Sequence, residues 1–289
     1  MTTAKSNVAF DTDYYRLNSD LAEFSDEALR THFLEYGLDE GRPGAARAAR
    51  EIFLKDLPQD GLVLEIGPFD VPAATGGNMR YADVLTTEQL RERARSLGQN
   101  PDGCPNIDYH LPDLSIRSIG QKFSAVVSSH CIEHQPDLVQ HLIDVENLLL
   151  PGGKYFLMIP DKRFCFDHFL PESSIAGVIS AHERKLKVHD LSSIIEHWAL
   201  TTHNDTGLHW IGDHGHRRIE TSLQPVEAAI TDFRAAPGSY IDVHAWQFTP
   251  ESFFNIIELL NRLKLVRLRL KHVYNTVRNR NEFCAVLEA

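Results

Sequence analysis

The chain has 289 residues, 43% hydrophobic and 24% charged, which is a globular composition long enough for one large domain or a large one with a small companion. With 40 acidic against 29 basic residues, its formal charge of −11 argues against holding nucleic acid by bulk charge. No apolar stretch approaches the roughly 18 residues of a membrane span, and MTTAKSNVAFDTDYY has no apolar h-region. Cys104, Cys131, Cys165 and Cys284 form no CxxC pair, so free thiols and a cytoplasmic location are expected.

In chain order, Phe10, Tyr14, Leu17, Leu21 and Phe24 recur at roughly helical spacing. Ser25 then reads as the N-cap of DEALRTHFLEYG, with Leu29, Phe33 and Tyr36 on one face and Gly37 at the helix end. Residues 1–47 thus form a small helical module that docks on the remainder or on a partner. A linker leads into a helix over Ala45–Leu57. From there α and β signals alternate through a domain of residues 48–289. Strands are expected at Gly61–Gly67, Met79–Leu85, Ile107–His110, Phe123–Ser128 and Lys154–Pro160. Helices are expected at Thr86–Leu97 and Asp137–Leu150, the second stopped by Pro151-Gly152-Gly153. Residues 161–245 break the rhythm. They form an insertion rich in His, Asp and Arg, with helical patches at Ser174–Lys187 and Leu191–Leu200. Thr249-Pro250-Glu251 opens another helix. In VRLRLKHV, Arg267, Arg269 and Lys271 alternate with apolar residues, which suits a sheet edge. Phe283–Leu287 is continuously apolar and so central. The fold class is therefore α/β, a mostly parallel sheet ending in an antiparallel hairpin.

Ligands of such sheets sit beyond the carboxyl ends of the strands. Gly67, after the first strand, allows a tight turn against a ligand, although the loop is not GxGxxG. Asp83 stands 18 residues after Glu65, where a carboxylate can accept both ribose hydroxyls. Asp113 and Leu114 offer a carboxylate for an exocyclic amine and an apolar side chain for a base.

The series VLEIGPF, YADVLT, PDLS, FSAVVSSHCIEHQPD and LLLPGGKYFLMIPDKR resembles the class I S-adenosylmethionine-dependent methyltransferases. More narrowly, it resembles those associated with bacterial capsule and lipopolysaccharide biosynthesis, and FDTDYYRLNSDL resembles a module found on such glycan enzymes. The resemblance implies a Rossmann-like fold with a seven-stranded sheet and S-adenosylmethionine as cofactor. Glu65, Gly67 and Phe69 would line its methionine end, Asp83 would hold the ribose, and Asp113 and Leu114 the adenine. Ser129 and His130 would flank the sulfonium. Pro68 and Phe69 stand where the family's first loop carries further glycines.

His130-Cys131-Ile132-Glu133-His134 also matches H-x-x-E-H, but its loop context argues against a zinc protease, and no metal is assigned. His130 is the first candidate general base, and Asp161 a second catalytic candidate. Lys162 and Arg163 leave the fifth strand at its carboxyl end, placed to bind an anionic group of the acceptor. His209, Trp210, His214 and Arg217 of the insertion complete the expected acceptor site. The implied reaction is methyl transfer to a hydroxyl or phosphate-type oxygen of a surface-glycan sugar or its precursor. The alternatives are another small acceptor, or a cofactor-binding scaffold without turnover. Partners through the N-terminal module would be other glycan-biosynthesis enzymes.

Overall fold

The computed structural model describes residues 7–112 and 115–289. Its centre is a seven-stranded sheet of β1 (Val63–Ile66), β2 (Met79–Asp83), β3 (Tyr109–His110), β4 (Phe123–Ser129), β5 (Leu149–Pro160), β6 (Arg269–Val273) and β7 (Glu282–Glu288). The spatial order is β3-β2-β1-β4-β5-β7-β6. β1 to β5 pair in parallel, and β7 lies antiparallel between β5 and β6. This is the expected Rossmann-like α/β arrangement with an antiparallel terminal hairpin. Arg267, Arg269 and Lys271 are exposed along the edge, while Phe283–Leu287 is buried throughout.

Side chains alternate across the sheet, and each face is apolar. On one face Leu64, Val126, Leu157 and Phe283 pack under helices Leu138–Leu148 and Pro250–Arg262. On the other, Val63, Val127, Phe156 and Cys284 meet Phe53 and Leu57. Both faces being covered explains why the central strands read as unbroken apolar runs.

Three boundaries differ from the sequence expectation. The helix after β4 ends at Leu148, and Leu149 already pairs with Phe123; Pro151-Gly152-Gly153 forms a bulge inside β5, with Gly152 at φ 74°. The segment 45–57 is a helix Arg50–Phe53 between two 3-10 turns, because Ala49 is extended. In the N-terminal module the helix capped by Ser25 passes through Gly37 and stops at Gly41, whose φ is 69°. Its core is Val8, Tyr15, Leu21, Leu29, Phe33 and Leu38, whereas Leu17, Phe24 and Tyr36 face solvent. The insertion has the two expected helices, Ile175–Glu183 and Leu191–Ala199, and adds Thr206–Trp210 and Gln224–Ala235.

Candidate functional site

A cleft of about 260 Å³ opens beyond the carboxyl ends of β1, β2 and β4. Its floor is the turn Gly67-Pro68-Phe69, where Gly67 has φ 69° and lies against the Cys131 side chain. Asp83 lies on one wall among Leu85, Leu111 and Ile116. Burial pushes the Asp83 carboxyl up to about 6, against the Leu85 amide, which donates to Oδ1 at 2.8 Å. His130 also lines the cleft, with Cys131, His134 and Gln135. Asp113 and Leu114 lie outside the described residues.

Glu65 is not part of the cleft lining. Its carboxylate turns into the loop after β1, where the Ala73 amide donates to both oxygens at 2.8 and 3.0 Å. Burial still lifts it to about 7, partly offset by that amide and by Arg50. It shapes the loop that forms the cleft floor. Ser129 also lies outside the lining, and its hydroxyl accepts from Arg50 Nη1 at 2.7 Å.

His130 has an unusual setting. Its φ of 49° is rare for a residue with a Cβ, and its amide is held by the Met158 carbonyl at 2.9 Å. Its Nε2 lies 2.8 Å from Glu282 Oε2 at the start of β7, and Arg50 Nη1 donates to the same carboxylate oxygen at 3.0 Å. Burial alone would depress the imidazole's pKa. The hydrogen bond to Glu282 and the nearby carboxylate of Glu133 outweigh it, and the pKa is raised. Glu282 and Arg50 were missed from the sequence. Glu282 is 152 residues from its partner, and only the insertion of β7 beside β5 brings it there.

The insertion closes one side of the cleft. Tyr240 and Asp242 line it, and Asp242 meets Arg93 at 2.8 Å and His134 Nδ1 at 2.9 Å. No sequence signal marked these contacts, which join loops distant along the chain.

Asp161 is not placed to act as a base. It is fully buried and gripped by Arg163, while Thr276 Oγ1 donates to it at 2.6 Å. Both its oxygens are engaged in holding the turn after β5. Arg163 is correspondingly neutralised, and Lys162 Nζ donates to the His168 carbonyl at 2.8 Å. The insertion residues converge on this turn and not on the cleft. The Trp210 indole stacks on Phe164 at 3.8 Å and donates to the Arg280 carbonyl at 2.9 Å, so one ring face and its N–H are taken. His209 is buried, with its Nδ1 3.0 Å from His214 Nδ1, and His168 stacks on His214 at 3.6 Å. Arg217 pairs with Glu220 at 2.6 Å on the surface. Of the residues expected to form an acceptor site, Lys162, Arg163, His209, Trp210 and His214 thus pack around the turn after β5, while Arg217 lies exposed on the surface. None of these residues lines the cleft. The H-x-x-E-H histidines are likewise divided, His130 turning to Glu282 and His134 to Asp242.

No protein-family model matches the chain, and no curated protein matches it. Among solved structures it is similar to a methyltransferase dependent on S-adenosylmethionine from Thermotoga maritima, at 18% identity over 50% of this chain and 61% of that one, with a TM-score of 0.29. The CcbJ methyltransferase of Streptomyces caelestis shares 24% identity over 42% of this chain and 56% of its own, with a TM-score of 0.26. The CurJ carbon methyltransferase shares 12% identity over 90% of this chain and 62% of its own, with a TM-score of 0.39. The chain thus spans about three fifths of the length of these neighbours.

Proposed function

We propose that the chain is an S-adenosylmethionine-dependent O-methyltransferase whose acceptor is a hydroxyl of a surface-glycan sugar or its activated precursor. The observation that carries the reading is the cleft itself. A glycine turn after β1, a buried carboxylate at the end of β2 and, beyond β4, a histidine backed by Glu282 face one space in a sheet of methyltransferase topology. Asp83 suits a ribose diol, and the apolar walls around it suit a nucleobase. The glycan acceptor rests on the sequence resemblance.

When bound, the cofactor supplies an electrophilic methyl on a sulfonium. The protein aligns an acceptor oxygen with it and receives the acceptor's proton. With His130 Nε2–H donating to Glu282, Nδ1 carries the lone pair that takes this proton. Glu282 fixes the tautomer and stabilises the imidazolium. This arrangement favours a hydroxyl over an anionic acceptor. A hydroxyl must lose a proton, and the cations expected to hold an anion, Lys162 and Arg163, are engaged elsewhere.

Asp83→Ala tests the reading. Loss of a carboxylate accepting two ribose hydroxyls should weaken S-adenosylmethionine binding by about 1.5–3 kcal/mol in calorimetry. Because the Asp83 carboxyl titrates near 6, wild-type affinity should also fall as the pH drops through that value. Unchanged affinity in the folded variant would overturn the assignment.

A further inference from the structure

Beside the cleft, the turn Ile132–His134 and the end of the insertion meet in a buried polar cluster. Glu133 is fully buried, and neither of its carboxylate oxygens has a hydrogen-bond partner among the described residues. Its Oε1 lies 3.7 Å from His134 Nε2 and 3.8 Å from His244 Nε2. Those separations are too long for hydrogen bonds. The two rings stand edge to face, 84° apart, with centroids at 4.7 Å. Each ring turns its other nitrogen to a second carboxylate. His244 Nδ1 lies 2.6 Å from Asp167 Oδ2, and His134 Nδ1 lies 2.9 Å from Asp242 Oδ1.

Burying a carboxylate without partners is costly, and proteins resolve it with a counter-charge or a metal. An ion about 2.0–2.2 Å from each ligand atom bridges separations of roughly 3.3–4.2 Å. The three atoms converge within 4.8 Å of one another. The carboxylate hydrogen-bonded behind His244 is the support that metal-bound imidazoles receive, since it fixes the tautomer and aims the lone pair, and Asp242 supplies a negative charge behind His134 without hydrogen-bond geometry. We propose that Glu133, His134 and His244 bind a divalent transition-metal ion of the zinc class, with Asp167 orienting His244 and Asp242 adding charge beside His134. The inference rests on this geometry and is independent of the methyltransferase reading. His130 takes no part in this site; His244, 110 residues after His134, supplies the second imidazole.

Two neighbouring clusters are weaker candidates. In Asp167, His197 and His244, the His197 Nδ1 already accepts the His244 amide. In His168, His209 and His214, the facing Nδ1 atoms of His209 and His214 already form a hydrogen bond. Neither set contains a carboxylate with both oxygens unpartnered. An ion at Glu133 joins the loop after β4 to the insertion that closes the cleft, and three protein ligands leave a fourth position open.

The test uses the full chain, stripped with a chelator and titrated with zinc(II) or cobalt(II). One equivalent should bind per chain and raise the melting temperature. Glu133→Gln and His244→Ala should abolish binding, and Asp167→Asn should weaken it by roughly 10- to 100-fold. His209→Ala should change nothing. Should the first two variants fail to fold, His134→Cys provides a positive readout, because a thiolate ligand adds a charge-transfer band to the cobalt spectrum. The proposal is overturned if the wild-type chain retains no metal, if His209→Ala abolishes binding, or if His134→Cys binds cobalt without that band.

Discussion

His130 is where a reading of the sequence and the structure meet most closely. Its place after an apolar strand made it a candidate, but its chemistry depends on Glu282, which no spacing rule could supply. A carboxylate that raises the imidazole's pKa makes it the stronger base. In the proposed reaction, His130→Ala should lower kcat by roughly 10²–10⁴-fold, the usual span of general-base catalysis. Glu282 acts through His130, so Glu282→Gln should show itself in the pH profile. Wild-type kcat/KM should rise with pH as His130 loses its proton. Removing the carboxylate lowers the imidazole's pKa and should move that acid limb to lower pH, alongside a reduced plateau. A limb that stays in place would show that Glu282 does not tune the base. The place of Asp83 in the cleft was legible for a different reason: it follows from distance along a βαβ unit, a local quantity. Asp161 shows the limit of such logic, since a carboxylate at a strand's end can equally be claimed by its neighbours Arg163 and Thr276.

At the scale of elements, the central strands were legible because both faces of the sheet are buried, and burial writes itself as an unbroken apolar run. The edge strand was legible through alternation. The misjudged boundaries all involve glycine or alanine, whose side chains carry little pattern. Gly37 looked like a helix end, yet it lies inside the helix, close against the Tyr15 hydroxyl. Gly41 is the true stop, and its conformation is reinforced by packing. A Cβ there would come 2.7 Å from the Arg278 amide nitrogen and 2.8 Å from its Cα. Gly41→Ala should therefore destabilise the protein by about 2–4 kcal/mol, combining left-handed strain with a backbone clash. Gly98 has a similar φ of 70° but open space around it. Gly98→Ala should cost only about 1 kcal/mol. Equal urea midpoints for the two variants would show that the contact with Arg278 plays no part.

For the whole molecule, the decisive region is the connection between β6 and β7. Along the sequence Asn275 stands 231 residues from Gly44 of the N-terminal module and Arg280 stands 70 from Trp210 of the insertion, yet all three regions meet there. Ala9 donates to the Val273 carbonyl at 2.7 Å, Arg278 to the Gly41 carbonyl at 2.8 Å, and Trp210 to the Arg280 carbonyl at 2.9 Å. Asn275 is the centre of the joint. It is buried, accepts from the Gly44 amide at 3.0 Å and donates to the Arg42 carbonyl at 2.9 Å. Such pairings of backbone with one distant amide side chain leave no periodic trace, which is why the module's docking site could not be read from the sequence. Asn275→Ala would strand a buried N–H and leave a partly buried carbonyl unpaired, at a cost of about 2–4 kcal/mol. The three tryptophans, Trp198, Trp210 and Trp246, all lie beyond residue 190, so their fluorescence reports on the insertion and its surroundings. Far-ultraviolet circular dichroism reports on every helix, including those of the N-terminal module. If the joint couples the module to the sheet, both signals should follow one urea transition in the wild type and shift together to lower urea in Asn275→Ala. A variant whose fluorescence midpoint is unchanged while part of the dichroism is lost early would show the module to be a separate folding unit, merely resting on the hairpin.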